Sequence, residues 1–413
     1  MVSHRASSLF SQSAPGSLAS FTEEILGYLP RADQRRWAHA YVNGLLSTPG
    51  KKTVRRLAAS VSSSPTACQS LYQLINVSPW DWRPARRNLT QWVLRRATPR
   101  AWTVGLAVLP KRGDRSVGVH RRFDPASGRT LNCQIGVGIF MDTDAGPTPL
   151  GWRLLLPDDW ADDHVLRARA RIPECNIGHF PLSAQVLDLV RTVHRKVTAN
   201  PLPVVADLTG CPEVSSLLHG LSRCGADFAV AVPPTLPVLP GGPLHAQGPG
   251  PAAGIRAGAP LPVKRLLGLG ESGGTAAGAA GRPRQPPLHS APVRLPDAKG
   301  AQATAAPPRT YRAFLERVPA GCPEEPVWVT NMVHERAQAL LALTGLHHRA
   351  SATVRTLQEE FGLRDFEGRS YPGWHHHMTL VSAAYGYSLL AARARGRGRE
   401  PYAHSGMARP EPA

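Results

Sequence analysis

Lysine is scarce in this 413-residue chain: six of its 48 cationic side chains are lysine and the other 42 are arginine. That bias, with abundant Ala, Pro and Gly, is what a GC-rich coding sequence produces. Cysteine is scarce as well. The six residues (Cys68, Cys133, Cys175, Cys211, Cys224 and Cys322) are scattered without a CxxC pair, so the close paired ligands of structural zinc are missing. The opening segment MVSHRASSLFSQSAPGSLAS lacks the apolar core of a signal peptide. No stretch approaches the roughly 20 apolar residues of a membrane span. These absences predict a cytoplasmic protein with reduced thiols and no membrane partner. Acidic residues are also few, 29 against 48 cationic, leaving an excess of 19 positive charges. A charge of that size points to a polyanionic partner, and nucleic acid is the first expectation.

The length allows two folded domains, and composition shifts mark their limits. Residues 1–20 are polar and are expected to be disordered. Residues 21–100 show apolar side chains at helical spacing, for example Trp37, Tyr41 and Leu45, and predict an all-α basic N-terminal domain. Thirteen cationic and four acidic residues fall in this span, nearly half of the excess charge. From Ala101 the pattern turns to strands: AWTVGLAVL, RTLNCQIGVGIFM and TPLGWRLLLP, separated by Gly, Pro and Asp. A helix over SAQVLDLVRTVHRKV, a strand at PLPVVADL, a helix near VSSLLHGL and a strand at DFAVAVP follow. Three hairpin-type strands followed by alternating helix and strand predict a ribonuclease H-like α/β core, its first part over 101–230.

Residues 231–310 contain 16 Pro, 13 Gly and 16 Ala. That composition predicts a disordered insertion. Order is expected to return over 311–390, with a strand at PVWVTNM, a long helix from His334 through Phe361 and a helix near HHHMTLVSAAYGYSLLAA. The Arg-rich segment 391–413 reads as a loose electrostatic tail.

Within the basic region, KKTVRRLAASVSSSPTACQSLYQLIN has the layout of a helix-turn-helix. Val54, Leu57, Ala58 and Val61 give the first helix an apolar face. Ser64 suits an N-cap and Pro65 the first helical position. The second helix is expected to bury Cys68, Leu71 and Leu74 and to expose Gln69, Gln73 and Asn76, side chains that read adenine edges in the major groove. Lys51, Lys52, Arg55 and Arg56 are placed to clamp phosphates. The helix RRNLTQWVLRR offers a second cationic face through Arg86, Arg87, Arg95 and Arg96. Trp80, Trp82 and Trp92 around it read as the core of a small helical domain.

Three segments, KRGDRSVGVHRRFDPASGRTLNCQIGVGIFM, LPDDWADD and DFEGRSYPGWHHHMTLVSAAY, resemble the DDE transposases of the insertion-sequence 701 family. The similarity spans roughly residues 21–230 and 320–390. It implies double-stranded DNA as partner, action as a homodimer on paired ends, and three carboxylates holding two Mg2+ ions for strand cleavage. Carried over by position, however, the first carboxylate falls at Gly105, counted back from Ser116–Val119. The second falls at Asp207, and the third falls at Ser351, sixteen residues before Glu367 of DFEGRS. Magnesium demands oxygen ligands in tight octahedral geometry, so two missing carboxylates are not easily replaced. Asp114, Asp142, Asp144, Glu359, Glu360 and Glu367 are the acids weighed as substitutes, and none is well placed by simple spacing. With its partners gone, Asp207 also reads as a cap for the loop that follows its strand.

Two further strings carry less weight. GLGESGG at Gly268–Gly274 satisfies both GxGxxG and GxSxG but lies in the low-complexity insertion, without the strand and helix either motif needs. His375, His376 and His377 are consecutive. On a helix they point about 100° apart, which suits packing better than a shared metal.

The sequence therefore predicts a transposase-like DNA-binding protein unable to cut DNA, domesticated and regulatory, cytoplasmic and associated with the nucleoid, with Asp207 as a remnant. It needs no cofactor, Mg2+ entering only if cleavage survives. Two alternatives stay open: an active insertion-sequence transposase with displaced carboxylates, and a scaffold protein that uses the old core as an interface without DNA.

Overall fold

The computed structural model describes residues 16–124, 128–174, 181–194, 201–241, 259–269, 288–296, 309–315 and 326–397. Five helices lead the chain: α1 (Leu18–Leu26), α2 (Ala32–Ser47), α3 (Val54–Val61), α4 (Ala67–Asn76) and α5 (Trp82–Leu94). Polar caps fix three of their starts. The hydroxyls of Ser17 and Thr53 accept from the amides of Ser20 and Arg56, and the Asp81 carboxylate accepts from Arg83 N.

Strands β1 (Pro99–Pro110), β2 (His120–Asp124), β3 (Arg129–Thr143) and β4 (Pro147–Leu154) follow. Next come α6 (Asp158–Asp162), α7 (His164–Ala170), α8 (Leu182–Val193), β5 (Val204–Asp207), α9 (Val214–Cys224) and β6 (Phe228–Val232). The chain continues through β7 (Pro237–Pro240), β8 (Leu261–Pro262), α10 (Val263–Leu269), β9 (His289–Arg294), β10 (Tyr311–Leu315) and β11 (Val327–Thr330). It closes with α11 (Ala337–Thr344), α12 (Leu346–Glu359) and the 27-residue α13 (Tyr371–Arg397).

The strands form one large mixed sheet in the order β2-β3-β1-β5-β6-β11-β10-β9-β7-β8, with β4 also pairing β3. Its heart is β4-β3-β1-β5-β6. The first three of these strands run antiparallel to one another, while β5 lies parallel to β1 and β6 parallel to β5. Three strands in a meander followed by two parallel crossovers make a ribonuclease H-like core, and a helical region precedes it. Helix α13 is the pillar between the two. It packs against α2, α4 and α5 on one side and against β4 on the other. One continuous apolar core consequently runs from Phe21 through Trp374 to Leu390.

Several sequence expectations need correction. The disorder expected over 231–310 does not extend to β7, β8, α10 and β9. Pairing with β10 and with one another holds these strands in place. The stretches between them, including most of the Gly268–Gly274 string, lie outside the described residues, as do 1–15 and 398–413. Order begins with α1 at Leu18, inside the segment expected to be disordered. The long helix expected from His334 is two helices, divided at Gly345. No helix among the described residues is long and apolar enough to cross a membrane.

Candidate nucleic-acid interface and remnant catalytic centre

The segment expected to be a helix-turn-helix folds into two helices, α3 and α4, with Val54, Leu57 and Ala58 buried on α3. Helix α4 starts later than its Ser-Pro signal suggests. Ser64 spends its hydroxyl on Thr66, and Thr66 rather than Ser64 stands at the N-cap. The shift leaves Leu71 and Leu74 inside and Gln69 and Gln73 exposed. It also exchanges two roles: Cys68 is exposed and Ala67 buried in its place, while Asn76 is buried at 8 % exposure.

Of the cations expected to clamp phosphates, Lys51, Arg55, Arg56, Arg87, Arg95 and Arg96 are exposed. Arg56 donates to Pro49 O, Arg95 pairs with Glu24, and the Arg96 guanidinium lies 4.3 Å from the Trp92 ring centroid. Two others are withdrawn from any surface role. Lys52 is buried, its amine donating to Thr48 O at the end of α2. Arg86 turns inward and reaches Thr379 Oγ1, Trp152 O and His375 Nδ1. Burial holds its guanidinium down at about 9. The reason is the same for both. Helix α13 and the 362–370 segment, nearly 300 residues downstream, cover the face on which these side chains lie.

The three histidines at the start of α13 diverge, as their spacing requires. The His375 ring stacks 4.5 Å from Trp82, and the His376 ring stacks 3.9 Å from Trp80. The His377 ring lies between Tyr41 and the loop after α12: Nδ1 is 2.9 Å from Tyr41 Oη and Nε2 is 3.0 Å from Gly362 O. Neutral imidazole satisfies both contacts if Nε2–H donates to the carbonyl and the Tyr41 hydroxyl donates to Nδ1. Burial, reinforced by the nearby Lys111 charge, pushes the His377 pKa down to about 3. The motif thus bolts the helical region onto the core.

Two of the three positions expected for carboxylates, Gly105 and Asp207, lie on the adjacent strands β1 and β5. β1 and β5 pair in parallel with Val104 opposite Ala206. One step further in the same register, Gly105 stands beside Asp207. Helix α12 runs along β1 above this point. At one end Arg349 donates to Asp142 Oδ1 on β3, and at the other Gln358 donates to Val108 O. Between them, Val354 approaches Gly105. β1, β5 and α12 thus meet around Gly105. A Cβ added at Gly105 would lie 2.9 Å from Phe140 Cε2 and 3.3 Å from Val354 Cγ2. Gly138, paired with Gly105 across β1 and β3, is similarly roofed by Phe140 and Trp152. An aromatic ring therefore lies over this glycine pair. Ser351 is exposed on α12, one turn before Val354. Asp207 is also exposed. Its Oδ1 accepts from Thr209 N at 3.1 Å and from Thr209 Oγ1 at 2.9 Å, the turn-capping role.

Three of the other acids weighed as substitutes, Asp142, Asp144 and Glu367, are engaged elsewhere. Asp142 is buried against Arg349 at the opposite end of β1, its carboxyl pushed up by burial and partly restored by that charge. Asp144 pairs with Arg393 and accepts from Thr98 N. Glu367 accepts from Val54 N at the start of α3. Asp114 lies in the turn beyond β1, and Glu359 and Glu360 are exposed at the far end of α12. Among the described residues no group of three or more His, Cys, Asp or Glu is placed to hold a metal ion.

No curated protein matches the chain. Among solved structures, the cryo-EM structure of the piggyBac transposase synaptic complex with hairpin DNA is similar at 11% identity and a TM-score of 0.37, covering 94% of this chain and 79% of that one. Residues 24–267, more than half of the chain, match the family model described as DDE superfamily endonuclease. The chain belongs to the DDE superfamily endonuclease family.

Proposed function

We propose that this protein is a DNA-binding derivative of a DDE transposase that has lost strand cleavage, a domesticated relative of the insertion-sequence 701 enzymes with a regulatory role. The carrying observation is the apolar plug at Gly105. Phe140 and Val354 fill the space into which the first metal-binding carboxylate would project. Two Mg2+ ions need several oxygen ligands at close range. Asp207 with Gly105 and Ser351 does not supply them, and Asp142, Asp144 and Glu367 are paired elsewhere. The residues present do not fit the metal pair, and no cleavage step is assigned to them.

DNA binding rests on charge and on the α3–α4 surface. Gln69 and Gln73 are exposed on the second helix of the pair, while Lys51, Arg55 and Arg56 are exposed around the first. Amide side chains on one helix and cations flanking it match the division between base readout and phosphate positioning. The partner on this reading is double-stranded DNA, bound by the protein alone or as a homodimer in the cytoplasm at the nucleoid.

The test compares the wild-type protein with Asp207→Asn on supercoiled plasmid and on labelled duplex, with and without magnesium. The expected result is equal retention of DNA by both proteins and no nicking by either. Nicking that needs both magnesium and Asp207 would restore the competent transposase. Loss of all binding near physiological salt would favour a scaffold that has left DNA.

A further inference from the structure

The helix-turn-helix surface is not the only cationic feature beside the old catalytic face. Where β1 ends, the turn over residues 110–116 faces the segment 364–369 that follows α12, and Lys51 closes the third side just ahead of α3. Together they enclose an open cleft of about 820 Å³. Six cations line it (Lys51, Lys111, Arg112, Arg115, Arg364 and Arg369) against three acids, Asp114, Asp365 and Glu367.

Two of those acids are already committed. Asp365 Oδ2 accepts from Lys52 N at 2.7 Å, and Glu367 Oε2 accepts from Val54 N at 3.3 Å. Both carboxylates are thus spent on amides at the start of α3, a role that suits a helix N-terminus. Lys111 is a strut, its amine donating to the carbonyls of Arg364 and Phe366 at 3.1 and 2.8 Å. Gly362 makes the reversal after α12 with φ +74°, where a Cβ would strike the Lys52 side chain. The rim is therefore rigidly tied to α3 while Lys51, Arg112, Arg115 and Arg369 stay exposed. They share no described ion pair with a carboxylate.

We propose that this cleft is a track for the sugar-phosphate backbone of double-stranded DNA, continuous with the α3–α4 surface. The cations are spread along three chain segments and do not converge on one buried point, which suits a row of phosphates better than a single small anion. Lys51 lies on the cleft rim, and Arg55 and Arg56 carry the same charge onto α3. A duplex docked on α4 would find its flanking backbone over the cleft. The inference rests on the DNA-binding reading above and adds a second contact surface to it.

The test uses the full chain and a duplex of about 40 base pairs, with affinity measured across a salt series. Each phosphate contact contributes about 0.9 to the slope of log K against log salt. The triple variant Arg112→Ala/Arg115→Ala/Arg369→Ala is expected to lower that slope by about 2 to 3. An equal charge removal at Arg121, Arg122 and Arg129, exposed on β2 and β3, is expected to lower it by less than 1. Arg364 is left intact because its Nε holds Gln358 O. An unchanged slope in the cleft variant, with wild-type binding intact, overturns the track but not DNA binding. Absence of binding by the wild type overturns both. Duplex RNA competing as well as duplex DNA overturns the assignment to DNA.

Discussion

Phe140 stands over Gly105: one of its ring carbons would lie 2.9 Å from a Cβ placed on that glycine. The two residues lie on neighbouring antiparallel strands, and Gly105 pairs directly with Gly138. The ring covers backbone that would otherwise lose packing at two adjacent glycines, a way to recover stability in a strand that lacks side chains. Phe140 thus packs a piece of core over the glycine pair.

Restoring the carboxylate is expected to harm the fold. Gly105→Ala should cost about 1–3 kcal/mol by overpacking. Gly105→Asp should cost about 3 kcal/mol or more, because its charge is buried without a partner. Phe140→Ala alone should cost about 3–5 kcal/mol. The double variant Gly105→Asp/Phe140→Ala should lose less than the sum, since removal of the ring makes room for the carboxylate. Denaturant unfolding of the four proteins measures the cycle, and strict additivity would mean that the ring does not plug the site.

The His377 contacts predict a loss of stability in acid. Its folded pKa of about 3 lies below the unfolded value near 6.5, so between these pH values the unfolded chain binds the extra proton. The contribution is therefore complete above about pH 6.5 and is lost as pH falls towards 3, by at most about 5 kcal/mol. His377→Gln should flatten the stability–pH curve over that window. An unchanged curve would mean that the imidazole is not held neutral between Tyr41 and Gly362.

Asp365 and Glu367 are expected to order the start of α3. Asp365→Ala and Glu367→Ala should each cost about 1 kcal/mol, the usual effect of removing a helix-capping acceptor. Amide exchange should accelerate at Lys52 in the first variant and at Val54 in the second. Unchanged protection at both amides would separate α3 from the core segment that this structure joins to it.

Readout and positioning should separate on α3 and α4. Gln69→Ala and Gln73→Ala should each relax base preference at one position by about 1–3 kcal/mol, with the salt slope unchanged. Arg55→Ala and Arg56→Ala should weaken binding to all sequences alike and reduce the slope by about 1 each. Binding profiles on a panel of single-base variants distinguish the two patterns. A uniform loss from the glutamine variants would remove α4 from the role of reading helix.

Much of this architecture was legible in the sequence because local rules and the final packing agree. Apolar spacing marks α1 to α5, and the runs around Val104, Ile139, Val205 and Val230 mark the central strands. The strands that carry Gly105 and Asp207 are legible from their apolar runs, and they pair in parallel as β1 and β5. What escaped depends on partners remote in sequence. Lys52 and Arg86 read as surface cations until α13 and the 362–370 segment cover them. Asn76 and Cys68 exchanged places because α4 begins at Ala67, where hydroxyl contacts among Ser64 and Thr66 delay the first turn. Strands β7 to β9 owe their order to pairing with β10 and with one another. The composition of the segment around them, rich in Pro, Gly and Ala, gives no sign of it.

The most direct test of the account is selection of bound duplexes from a random pool at about 150 mM salt with magnesium present, where charge alone no longer retains DNA well. The account predicts recovery of a defined motif on uncut duplexes, with the preference lost in the Gln69→Ala/Gln73→Ala protein. Recovery of duplexes cut in a manner that depends on Asp207, or of no motif at all, would contradict it.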